Sequence, residues 1–179
     1  MTLFDVLSAL DVNEDIHLAR ILILLRQFNA RNHPVDGMTK LAKLDFLLRY
    51  PVYLERAIQS KGKTGKDVGV RDFERGSVES KMVRYKYGPW DFRYRRFLNA
   101  LIARGLVMYS MEGKTTRIML TDKGENLANV LMNDMSFADI SNRATLLFNN
   151  FNYSATYLKE FVYRTFPEIT SLNLRTEIE

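Results

Sequence analysis

The chain has 179 residues with 46% hydrophobic and 12% aromatic content, which fits one globular domain or a domain with an appendage and excludes wholesale disorder. It contains no cysteine, so disulfides, thiolate metal sites and cysteine nucleophiles are excluded, and its longest apolar run, 21–25, ends at Arg26, far short of the ~20 residues of a membrane span. The net charge of +5 is uneven: between Lys61 and Arg117 there are 14 Lys or Arg against 6 Asp or Glu, and elsewhere 12 against 15, a pattern that fits either an acidic partner such as phosphate backbone or a solvated surface.

In chain order, the first ten residues hold Asp5 and no Lys or Arg, which does not resemble a signal peptide, and a cytoplasmic protein is expected. Glu14 and Asp15 precede a dense apolar series from Ile16 to Phe28, which predicts a well-buried helix opened by acidic residues that favour its dipole. Asn32-His33-Pro34 ends it, and Thr39 is expected to cap a second helix whose apolar face is Leu41, Leu44, Phe46, Leu47 and Leu48. Tyr50-Pro51 breaks that helix, and a short one through Leu54 and Ile58 follows. Residues 60–80 hold four glycines and many charges and read as a mobile loop. Residues 81–87 interleave Val83, Tyr85 and Tyr87 with Arg84 and Lys86, which predicts a strand with one basic face before a turn at Gly88-Pro89.

The segment from Asp91 to Leu131 is the most informative. A helix over 92–104 stops at Gly105, a residue suited to the left-handed position past a helix end. A strand over 106–111, the turn Glu112-Gly113-Lys114 and a strand over 115–120 form a hairpin, and the Thr121 hydroxyl can cap the helix that follows. This order is that of the second half of a winged helix. Helices over 138–151 and 155–166 and a short tail complete the chain. The expected fold is thus α+β and mostly helical: a winged-helix-like domain over 1–135 with a β-hairpin wing, and a C-terminal helical appendage over 136–179.

Catalytic chemistry finds little purchase. His17 and His33 are the sole histidines, one at a helix start and one beside a proline, and both read as ordinary surface or capping residues. Gly62-Lys63-Thr64 lacks the first glycine of a phosphate loop, since Ala57 stands there, and Gly113-Lys114-Thr115 fails likewise at Met108. No enzyme, cofactor or metal site is expected. The stronger constellation is Trp90-Asp91-Phe92-Arg93-Tyr94-Arg95-Arg96 at the start of the candidate recognition helix. Arg93 and Arg96 share a helical face, while Phe97, Leu98 and Leu101 mark the buried side. Arginines there can pair with phosphate or read guanine, whereas the plainer alternative is that Trp90 and Phe92 anchor the turn while the arginines pair with local acids. At most one of three arginines so close together can face the core without burying an unpaired charge. The candidate DNA- or partner-binding set is Arg84, Lys86, Trp90, Arg93, Arg95, Arg96, Lys114 and Arg117.

The run from Gly37 to Pro51, GMTKLAKLDFLLRYP, followed by Tyr87-Gly88-Pro89-Trp90-Asp91 and by Gly105-Leu106-Val107, resembles the middle component of bacterial ABC-three-component defence systems, including the accessory subunit of Lamassu-type systems, over residues 15–135. The resemblance implies a non-catalytic subunit that joins an SMC-like ABC ATPase to an effector, commonly a nuclease, in defence against phage or plasmid DNA, with double-stranded DNA a further expected contact and no membrane. The alternative is a free-standing winged-helix transcriptional regulator whose arginines enter a groove. The first predicts apolar surface exposed in the isolated chain, and the second a symmetric dimer with sequence-specific binding.

Overall fold

The computed structural model describes residues 14–76 and 93–170. The expected strand over 81–87 and the Gly88-Pro89 turn, with Arg84, Lys86 and Trp90, lie outside the described residues. What is described is mostly helical, with one three-stranded antiparallel sheet.

Helix α1 (Glu14–Asn29) is interior rather than amphipathic: residues 17–25, Gln27 and Phe28 are all buried, so neighbours must cover every side. Those neighbours include the sheet and four further helices, described below. The chain reverses at Asn32, which takes a left-handed conformation with φ 56°, and enters β1 (Val35–Asp36) and α2 (Gly37–Arg49). Helix α2 starts two residues before Thr39, with Asp36 at its N-cap, so the expected Thr39 cap is not formed. Pro51 then stops α2 and opens α3 (Pro51–Gln59), at a first-turn position where its missing N–H costs nothing.

Of residues 60–80, expected as a mobile loop, 77–80 lie outside the described residues, and 60–76 carry a 3-10 turn (Lys66–Val68) and the one-turn helix α4 (Asp72–Arg75). Val68 is buried, and Arg143 reaches back from a later helix to bond both Val68 and Gly69 carbonyls and the Glu74 carboxylate. One arginine thus replaces the apolar area that this polar segment lacks.

Helix α5 (Tyr94–Ala103) precedes the hairpin β2 (Val107–Glu112) and β3 (Thr115–Leu120), close to the predicted bounds. Gly113 holds φ 60° at the first central position of the two-residue turn, where a type II′ hairpin needs glycine. The strand order is β1-β3-β2, and the register pairs Val35 and Tyr109 with Ile118 and Val107 with Leu120, so one face of the sheet points into the core. Strand β1 had no sequence signal, being two residues long and paired far along the chain.

Helix α6 (Asp122–Asn133) is capped as expected, the Gly124 N–H donating to the Thr121 hydroxyl at 3.1 Å. Helices α7 (Ala138–Phe151) and α8 (Ala155–Thr165), expected as an appendage, put Leu147, Phe151 and Leu158 into the same core as α1 and α2, and the one-turn α9 (Pro167–Thr170) follows.

A candidate partner and nucleic-acid face on helix α5

Helix α5 separates its residues cleanly. Tyr94, Phe97, Leu98 and Leu101 are buried, while Arg95, Arg96, Asn99, Ala103 and Arg104 are exposed. Arg96 pairs with Glu14 at 3.1 Å in a solvated ion pair that contributes ~1 kcal/mol at most. Arg95 and Arg104 have no acidic partner among the described residues, so their charge is available to an anion.

Arg93 departs from the expected arrangement. It is 7% exposed, just before the helix, and does not share an outer face with Arg96. The reason is angular: at 100° per residue, Arg93 lies about 40° from Phe97 but about 60° from Arg96, so the apolar stripe claims it. It is the one arginine of the three that turns inward.

Both ends of α5 are fixed. At the start, the Tyr94 hydroxyl donates to Asp45 Oδ2 at 2.5 Å, and Arg20 grips the same carboxylate with Nε to Oδ1 at 2.6 Å and Nη2 to Oδ2 at 2.9 Å. Asp45 is fully buried on α2 and Arg20 is buried on α1, so one carboxylate joins three helices. Burial alone would push the Asp45 carboxyl up, but the Arg20 guanidinium, its hydrogen bonds, the Tyr94 hydroxyl and the Arg49 charge hold it below the usual range. Burial, with the adjacent carboxylate, raises the Tyr94 phenol well above its ordinary value, so it remains a donor.

At the other end, Gly105 with φ 68° forms a Schellman close: Gly105 N–H donates to Ile102 at 2.8 Å and Leu106 N–H to Leu101 at 2.9 Å. The Leu106 carbonyl accepts from the Thr121 N–H at 3.1 Å, and the Thr121 hydroxyl donates to the Gly105 carbonyl at 2.6 Å. Gly124 packs so closely on this turn that an added Cβ would sit 1.9 Å from the Leu106 oxygen. Lys123 Nζ closes the clamp on the Arg104 carbonyl at 3.0 Å.

His17 is not the expected surface or capping residue. It is buried, stacked on Phe97 with centroids 5.2 Å apart, and its Nδ1 has no hydrogen-bond partner among the described residues. Burial first, then the charges of Arg20 and Arg49, lower its pKa to about 4, so the ring is neutral.

On the hairpin, Lys114 stands exposed at the tip. Arg117 is held by an ion pair to Asp36 at 3.5 Å and by a closer one to Glu112, so its charge is engaged within the sheet. Beside these residues Met108, Tyr109 and Met111 of β2 are exposed, Met111 by 64%, as are Val130 (66%) on α6 and Met135 (87%) just after it. The exposed apolar side chains had not been singled out from sequence; their signal was an apolar residue at every β2 position but Ser110 and Glu112.

Comparison of the chain with family models, curated proteins and solved structures finds no match. No described helix is long and apolar enough to cross a membrane.

Proposed function

We propose that this chain is a non-catalytic binding subunit, joining an SMC-like ABC ATPase to an effector, commonly a nuclease, in a DNA-sensing defence complex. The observation that carries the reading is the exposure of Met108, Tyr109 and Met111 on the wing, of Val130 on α6 and of Met135 just after it. Large flexible thioethers left in water suit a surface that a protein partner covers. The order α1-β1-α2, then α5-β2-β3 with the sheet running β1-β3-β2, supports a winged-helix core in which α5 occupies the recognition-helix position. Such cores serve protein and nucleic-acid contacts alike.

Co-expression with the products of the neighbouring genes tests it. Copurification of an ABC ATPase and an effector is expected, and Met111→Glu combined with Val130→Glu should abolish capture of at least one of them. A wild-type chain that purifies alone, or a double variant that assembles normally, would overturn the proposal.

A second reading, a free-standing DNA-binding regulator, is favoured by one specific observation: Arg95 and Asn99 lie one turn apart on the outer face of α5, with Arg104 following. Arginine suits guanine and asparagine suits adenine in a major groove. Under that reading Arg95→Ala with Asn99→Ala relaxes sequence preference, whereas under the first it leaves duplex binding unchanged.

A further inference from the structure

We infer that the turn joining α7 to α8, with the Lys61–Lys63 turn laid against it, is a binding site for single-stranded nucleic acid. Lys61 Nζ donates to the Asn150 carbonyl at 2.5 Å and to the Tyr153 hydroxyl at 2.6 Å. Lys63 Nζ donates to Asn150 Oδ1 at 2.5 Å. Both lysines are exposed, and neither pairs with a carboxylate among the described residues. Their partners are neutral amide, carbonyl and phenol groups, so two full positive charges remain uncompensated. The half-charge of the α7 C-terminus offsets them only in part. An ammonium has three donors, which leaves one free on Lys61 and two on Lys63.

Next to this charge lies an aromatic platform. Lys61 Nζ sits 4.9 Å from the centre of the Tyr153 ring, and Tyr153 meets Tyr157 with centroids 4.5 Å apart. Tyr157 remains 44% exposed. A continuous row of Lys63, Lys61, Tyr153 and Tyr157 thus offers phosphate donors at one end and a partly exposed aromatic residue at the other. That combination tracks a backbone and stacks an unpaired base, which neither a paired duplex nor an acidic peptide can use in full. Lys61 is held in place by the helix end it caps, so its ordering cost is already met.

The test is fluorescence anisotropy of the full chain with labelled dT20, a 20-base-pair duplex and polyglutamate. Binding of dT20 is expected, weakened roughly tenfold or more by Tyr157→Ala and by Lys63→Glu. The salt slope should shrink by about 1.4 units in the Lys61→Gln/Lys63→Gln variant, two phosphates at about 0.7 each. Tyr157→Leu keeps an apolar contact without a stacking ring and replaces Tyr157→Ala if that variant does not fold. Failure of the wild type to bind dT20, equal binding of polyglutamate, duplex binding that falls as much as dT20 binding in Tyr157→Ala, or indifference of dT20 binding to loss of the Tyr157 ring would each overturn the inference.

Discussion

At the scale of single residues, close contact and charge burial decide more than surface chemistry does. Gly124→Ala must move either α6 or the Leu106 carbonyl, because the new methyl would overlap a backbone oxygen at 1.9 Å. A loss of about 3 kcal/mol is expected, seen as a lower urea midpoint at unchanged m. His17 gives a pH signature. Its folded pKa of about 4 lies below the 6.5 of an unfolded histidine, so the unfolded chain takes up the proton first. The corresponding stability is fully present above about pH 6.5 and is lost as pH falls toward 4. Between pH 7 and 5 the loss should be about 2 kcal/mol, and His17→Phe should flatten the profile over that window. An equally steep profile in the variant would assign the effect elsewhere. The carboxylates held below their ordinary range, Asp45 among them, act at lower pH with the same sense: their contribution is present above their unfolded value and lost below it.

At the scale of elements, local signals were legible and distant partners were not. The hairpin, Gly105 and the Thr121 cap are written in adjacent residues, and the structure places them within a residue or so of the predicted bounds. Asp45 shows the opposite case. A lone carboxylate amid Leu44, Phe46, Leu47 and Leu48 signals a buried charge, but its partners Arg20 and Tyr94 stand 25 and 49 residues away, where no short-range pattern can name them. The candidate site was half legible: Arg95 and Arg96 lie on the outer face as expected, whereas Arg93 was lost to the stripe that begins one turn later at Phe97. The segment 60–76 read as loop because its composition is polar, and composition does not reveal that Arg143 would hold it. Arg143→Lys keeps the charge but cannot form the fork to Glu74 while bonding two carbonyls. Amide exchange at Val68, Gly69 and Glu74 should therefore speed up at least tenfold in that variant while exchange in α1 is unchanged. Equal rates in both proteins would mean that Val68 alone fixes the segment.

At the scale of the whole molecule, α1 is the axis on which other elements depend. Helix α7 lies against both α1 and α2, and α8 against α2, so a chain ended after residue 135 would leave Phe28 and Leu147's side of the core open to water. Such a truncation is expected to lose cooperative urea unfolding and gain dye-binding apolar surface; a sharp two-state transition in the shortened chain would instead support a separable appendage. The wing, the outer face of α5 and the Lys61–Tyr157 row are all built on this one core, so partners bound at any of them would share its stability.

The edge-to-face packing of Phe28 on Phe148, 5.1 Å between centroids, also sets a schedule for the living cell. Some 120 residues must be synthesised after Phe28 before its lid exists, which at ~5 to 20 residues per second means roughly 6 to 24 s of waiting. During that interval the most deeply buried of the described helices is made but unclothed, and a ribosome-associated chaperone has its clearest opportunity there.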